Sequence, residues 1–141
     1  MRVLGLDIGS KTIGIAVSDE MGWTAQGVTT VYRTSREQTY QDLSKYVNEY
    51  QVESLVVGLP LHMSGEEGKE ALSVRKFVEE FKKSCFPELP VIYYDERMST
   101  MAAERGLLEA DLSREKRKKV INKMAAVFIL QGYLDSQQGA R

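Results

Sequence analysis

The chain has 141 residues, 43% of them hydrophobic, which suits one compact domain over 1–141 and leaves no room for two. With 19 basic and 20 acidic residues the net charge is −1, so the overall field does not mark a nucleic-acid binder, and any such surface must come from local clustering. One cysteine, Cys85, excludes an internal disulfide, the Cys and His content excludes a zinc cluster, and apolar runs such as Leu55-Val56-Val57 are too short to span a membrane. The opening Met1-Arg2-Val3-Leu4-Gly5-Leu6-Asp7 carries a carboxylate where a signal segment would be apolar, so a cytoplasmic protein is expected.

Residues 2–7 alternate and are rich in aliphatics, which predicts a strand, and Ile8-Gly9-Ser10-Lys11 supplies a turn. A second strand is expected over 12–18, with Ile13, Ile15 and Val17 on one face, and a third over 25–32. Short turns between the three imply an antiparallel meander. The period then changes: Ser35 can cap a helix in which Tyr40, Leu43, Tyr46, Val47 and Tyr50 recur at helical spacing. Residues 54–58 form a continuous apolar run, as in a strand buried on both faces. A loop with Pro60, Gly65 and Gly68 leads to an amphipathic helix over 70–83, predicted to bury Leu72, Val74, Phe77, Val78 and Phe81. A fifth strand over 91–94 ends at Asp95-Glu96-Arg97, and helical spacing resumes from Ser99. The last helix is expected from about Val120 to Asp135, with Ile121, Met124, Ala125, Phe128 and Tyr133 marking its face. Strand-helix-strand units from residue 54 onward favour parallel pairing with right-handed crossovers. The expected architecture is α/β: a mixed five-stranded sheet, three antiparallel strands then parallel βαβ units, flanked by helices in the order of the RNase H-like fold.

Three places put polar groups outside strand ends, where such sheets gather ligands. Asp7 precedes Gly9 at the end of the first strand, Glu96 follows Asp95 at the end of the fifth, and Asn122 stands at the start of the last helix. Small Ala125 and Ala126 would let that helix pack closely and bring Asn122 toward the two acids. Each signal alone also fits a turn or a solvated strand end. Phosphodiester hydrolysis gives the three a reason to coexist. Hard Mg²⁺ or Mn²⁺ prefers oxygen ligands, and held by Asp7 and Glu96 it could activate water and neutralise a leaving oxygen. The single histidine, His62, falls in the glycine-containing loop and is expected to be structural or solvent-facing. Five of the six residues from Arg114 to Lys119 are basic (Arg114, Lys116, Arg117, Lys118, Lys119). The run fits a solvated helix face or a phosphate-binding patch, as do Lys11 and Arg97 beside the acids.

The combination of segments resembles one family. Residues 6–19 (LDIGSKTIGIAVSD) are similar to the opening signature of the YqgF/RuvX family, and Val56-Val57-Gly58-Leu59-Pro60-Leu61 through Gly65 to its second. Tyr94-Asp95-Glu96-Arg97-Met98-Ser99-Thr100 resembles its third signature, and Met124-Ala125-Ala126 through Leu134 its terminal helix. The resemblance implies an RNase H-like nuclease of the bacterial cytoplasm that matures the 5′ end of pre-16S rRNA. An older reading of the family, by similarity to RuvC, is a Holliday-junction resolvase acting on branched DNA. It also implies that Asp7 and Glu96 are metal ligands. Family members commonly carry an acid where this chain has Asn122, whose carbonyl oxygen coordinates without charge. Asp95 and Asp135 are candidate substitutes, although Asp135 lies about 20 Å along the helix from Asn122. Two other readings compete. Actin-like ATPases and sugar kinases share the acid-x-glycine feature but need two lobes, and a catalytically weak RNA-binding or ribosome-assembly module would accommodate Asn122.

Overall fold

A computed structural model describes residues 2–96 and 114–139, with the backbone alone at 114–120 and 139. Its strands are β1 (Arg2–Ile8), β2 (Thr12–Ser18), β3 (Ala25–Tyr32), β4 (Val52–Leu59) and β5 (Val91–Asp95), and its helices α1 (Arg36–Glu49), α2 (Lys69–Cys85) and α3 (Arg114–Gly139). The strands form one sheet in the order β3-β2-β1-β4-β5. β1 pairs antiparallel with β2 and parallel with β4, β2 pairs antiparallel with β3, and β4 pairs parallel with β5. The expected mixed five-stranded sheet is therefore present, with β1 at its centre between β2 and β4. The helix expected from Ser99 lies outside the described residues, as does Arg97. Among the described residues no helix is long and apolar enough to cross a membrane.

Alternation along the central strands sends side chains to two different layers. Leu4, Leu6, Ile13, Ile15, Leu55 and Val57 pack with Leu43 of α1 and Val78 and Phe81 of α2. Val3, Ala16 and Val56 face the other way, onto Ala126, Ile129, Leu130 and Leu134 of α3. The helix α1 begins as its sequence predicts: the Ser35 hydroxyl accepts a hydrogen bond from the Gln38 N–H at 3.1 Å, satisfying one of the free donors of the first turn.

Three expectations need correction. Leu72 is 60% exposed rather than buried, and the inward stripe of α2 is Ala71, Val74, Val78 and Phe81. One residue is a 100° turn on a helix, so small Ala71 takes the place against the sheet and Leu72 is carried outside it. The last helix is already formed at Arg114, the first described residue after 96, rather than beginning near Val120, so the basic run is helical. Lys and Arg are good helix formers, so the helical period carries through the run without an apolar stripe to mark it. The buried stripe of α3 is Ala125, Ala126, Ile129, Leu130 and Leu134; of the residues expected to mark it only Ala125 is fully buried, while Ile121, Met124, Phe128 and Tyr133 are half-buried. The small Ala125 and Ala126 lie within the contact as the sequence predicts, beside Ile129, Leu130 and Leu134, and the larger residues expected there flank it.

Candidate active site

β1 carries Asp7 to the edge of the sheet where the parallel strands end. Leu4 and Leu6 belong to the α1/α2 layer, so alternation places Val3, Gly5 and Asp7 on the α3 side. Asp7 is paired with Gly14 across the antiparallel ladder, and Leu6 is beside Val57 on the parallel side, so Gly58 is the next residue along β4. Both flanking positions thus lack a side chain. A Cβ at Gly14 would overlap the backbone carbonyl of Asn122, and one at Gly5 would lie 2.7 Å from the Cβ of Leu130. Glycine here lets α3 approach the sheet backbone to backbone.

Gly58 has a second tenant. Glu96, the first residue after β5, folds over it, with Oε1 2.5 Å and Cγ 2.9 Å from where a Cβ would stand. Asp7 and Glu96 line one cavity of about 510 Å³, together with Gly9, Ser10, Arg33, Pro60 and the first turns of α2 from Lys69 to Val74. Asn122 is held beside this group by its own hydrogen bond, Nδ2 donating to the Thr12 hydroxyl at 2.6 Å. Thr12 is two residues from Gly14 on the same face of β2, which puts Asn122 next to the cross-strand partner of Asp7. With Nδ2 giving one of its two hydrogens to Thr12, Oδ1 is the acceptor end of the Asn122 amide.

One cation on the rim is firmly positioned. Arg33 follows β3; its Nη1 donates to the Gly9 carbonyl at 2.7 Å and its backbone N–H to the Lys11 carbonyl at 2.8 Å. Its guanidinium stacks on the Phe77 ring at 4.5 Å, so it is braced from both the β1–β2 turn and α2. Lys11 is exposed in that turn.

The family-model comparison decides the relationship: a model described as RuvX: Holliday junction resolvase matches residues 1–136. The chain belongs to the RuvX family. Relatives agree over nearly full length. A Staphylococcus epidermidis protein is 54% identical over 140 residues, covering 97% of each chain, and a Clostridium novyi protein is 52% identical over 136 residues, covering 96% of this chain and 99% of its own. Both bear the name "Putative pre-16S rRNA nuclease". Among solved structures, T. thermophilus RuvC in complex with a Holliday junction substrate superposes with a TM-score of 0.61 at 12% identity, covering 99% of this chain and 96% of that one. The fowlpox virus Holliday junction resolvase gives 0.56 at 16% identity, covering 97% and 99%. At these identities the structural likeness speaks for the fold, which is the RNase H-like fold expected from the element order.

The remaining candidate residues fall in different places. Arg97 lies outside the described residues, and Arg114, Lys116, Arg117, Lys118 and Lys119 are placed by backbone only, in the first two turns of α3. Asp135 accepts a hydrogen bond from Gln131, whose Oε1 in turn accepts from the Ala25 N–H. Ala25 pairs with Ser18, at the end of β2 remote from Asp7, so Asp135 is no substitute ligand. Asp95 follows Tyr94, which packs in the α3 layer, so alternation directs Asp95 to the opposite side from Glu96. His62 is exposed, with its ring seated over Gly68 at the start of α2. Arg33 and Lys69 line the cavity but were not singled out from sequence, because each is an isolated charge with no local motif around it.

Proposed function

We propose that this chain is a divalent-metal-dependent nuclease that hydrolyses phosphodiester bonds in RNA and trims the 5′ end of pre-16S rRNA in the cytoplasm. One observation carries the reading: Asp7 and Glu96 line the same cavity at the sheet edge, above positions left empty by Gly14 and Gly58. Membership of the RuvX family and the name shared by its relatives support the reaction class and the substrate. The donor set fits a hard cation: the anionic groups lining the cavity are the carboxylates of Asp7, Glu70 and Glu96, and among the described residues no thiolate or imidazole lines it. Asp7 and Glu96 would hold Mg²⁺ or Mn²⁺, which when bound supplies a more acidic water and neutralises charge on the leaving oxygen. Among the described residues no group of three or more acidic, His or Cys side chains converges, so water and substrate oxygens would complete the shell.

The other tasks fall to the chain's own residues. Arg33 and Lys69 on the cavity wall offset phosphate charge, and Lys11, Arg97 and the run from Arg114 to Lys119 hold the backbone of the substrate farther out. Asn122 Oδ1 is a neutral acceptor that can orient the attacking water without drawing off its proton. In the hydrolysis the water oxygen bonds to phosphorus and gives up a proton to solvent, the bridging P–O bond breaks, and the departing alkoxide oxygen takes up a proton from solvent to leave as a hydroxyl.

The family description, a Holliday junction resolvase, favours a rival substrate, and one experiment addresses both. Purified protein is given a pre-16S rRNA leader fragment and a four-way DNA junction in parallel, with Mg²⁺ or Mn²⁺. RNA cleavage that falls about 10³-fold (roughly 4 kcal/mol) in Asp7→Asn, with unchanged thermal unfolding, is the expected result. Cleavage of the junction alone would transfer the substrate to DNA. Tight RNA binding with no metal-dependent cleavage would leave the binding-module reading in its place.

A further inference from the structure

The cavity of Asp7 and Glu96 does not end at α2. Arg33 and Ser73 also line a second depression of about 250 Å³, which continues between the start of α1 and the middle of α2. Its lining includes Arg36 and Lys76 together with Thr34, Ser35 and Phe77. We infer that this groove is a second phosphate-binding track, which takes the sugar–phosphate backbone of the single-stranded RNA flanking the bond held at Asp7. The inference rests on the nuclease reading for the direction of the strand, and on the groove's own chemistry for the rest.

Three features carry it. Arg33 stands where the two depressions join, and its stack on Phe77 and hydrogen bond to Gly9 fix its guanidinium before any ligand arrives. A pre-positioned Arg loses little freedom on meeting a phosphate, and its planar fork can engage two oxygens at once. Arg36 is only loosely held: it meets Glu80 at 3.8 Å with side chains 73% and 42% exposed, a pairing of small value that a phosphate can replace. Lys76 is exposed one turn before Glu80 on the same face of α2. Glu80 is the one carboxylate on the wall of this groove, against three cations. The track lies on the α1/α2 side of the sheet, whereas the basic run of α3 lies on the other, so the two would receive different parts of the substrate.

The test is binding in the non-cleaving Asp7→Asn background. Two RNA oligomers are used, one trimmed close to the scissile bond and one with a single-stranded flank of several nucleotides. The proposal expects the parent to prefer the flanked oligomer by about tenfold, and R36Q/K76Q to reduce that preference to near unity. Two lost contacts should also lower the slope of log Kd against log salt for the flanked oligomer by about 1.4. K45Q/K83Q, which removes the same charge from α1 and α2 outside the groove, should keep both the preference and the slope. An unchanged preference in R36Q/K76Q overturns the track. Equal losses in the two double variants overturn it as well, because the effect would then be net charge. If flanked RNA binds as described but the native chain cuts no RNA, the nuclease reading fails and the track stands. If the native chain cuts RNA and R36Q/K76Q shows no flank-specific change, the track alone fails.

Discussion

The two faces of the sheet are covered in opposite ways. Toward α1 and α2 the strands project Leu4, Leu6, Ile13, Ile15 and Val57, and the helices answer with Leu43, Val78 and Phe81. That layer is ordinary side-chain packing, with stability drawn from buried apolar area. Toward α3 the strands place Gly5, Gly14 and Gly58, and the helix sets the Asn122 and Ala126 carbonyls and the Ile129 and Leu130 side chains against them. Here side-chain bulk is given up so that backbones approach. The hollow left beside Asp7 is where Glu96 folds in and Asn122 arrives. The difference teaches that burial and site-building have been divided between the faces: a larger residue on the first disturbs packing, and one on the second disturbs geometry.

Gly14→Ala should have the largest effect. Its methyl group would overlap the Asn122 carbonyl, a backbone atom that cannot turn aside, so α3 must move as a whole. A loss of roughly 3 kcal/mol is expected. Ile15→Val, one residue on but facing the other layer, should cost only about 1 kcal/mol. Urea midpoints of the two variants give the comparison, and equal losses would remove the distinction between the faces.

Gly58→Ala separates geometry from stability. The added methyl meets Glu96 Oε1 and the tip of Ile129, both ends of flexible side chains, so roughly 1–2 kcal/mol of stability should go. Cleavage should fall further, by about 10²-fold, because Glu96 is turned out of the cavity. Val57→Ala on the opposite face should lose about 2 kcal/mol of stability while the folded enzyme still cuts. Cleavage rates measured well below both unfolding transitions would decide it; a Gly58→Ala protein as active as its parent would detach Glu96 from the chemistry.

A subtler change tests whether α3 contributes to the site or only covers it. In Asn122→Asp the Thr12 hydroxyl can donate where it now accepts, so the contact with β2 is retained. The new carboxylate should tighten Mn²⁺ binding by about tenfold, roughly 1.4 kcal/mol, in a calorimetric titration. Identical affinities would mean that α3 brings nothing to the cation.

The smallest effect belongs to the α1/α2 side of the edge strand. Burial, and then the charge and hydrogen bond of Glu79, push the Tyr93 phenol up to about 12. An unfolded chain ionises the same phenol near 10, so from pH 10 toward 12 the unfolded state holds fewer protons and stability falls as pH rises. Denaturation midpoints taken through that window should decline less steeply in Tyr93→Phe than in the parent. The same decline in both would assign the alkaline loss to other groups.

Much of this was legible in the chain because the signals are local. Alternation marked the strands, Ser35 marked the start of α1, and Asp7 and Glu96 could be singled out because each lies within one residue of the end of a hydrophobic strand. The errors came where a choice depends on a neighbour far away in sequence. Leu72 looks like a core residue by its own chemistry, and only the rotation of α2 about its axis, set by Val74, Val78 and Phe81 packing inward, gives the inward place to Ala71. On α3 the small Ala125 and Ala126 are buried as expected, whereas Met124 and Phe128 are only half-buried and Ile129, Leu130 and Leu134 complete the stripe.

Sequence by itself determined the elements, their order, and which residues end the strands, since strand and helix periods are properties of a few consecutive residues. Tertiary structure alone decided that Glu96 rests on Gly58, that Asn122 is tied to Thr12, and that Arg33 links two depressions across the top of α2. Those contacts join residues as many as 110 positions apart. Strand register and the distance of closest approach between helix and sheet set them, and neither is written in any one segment of the chain.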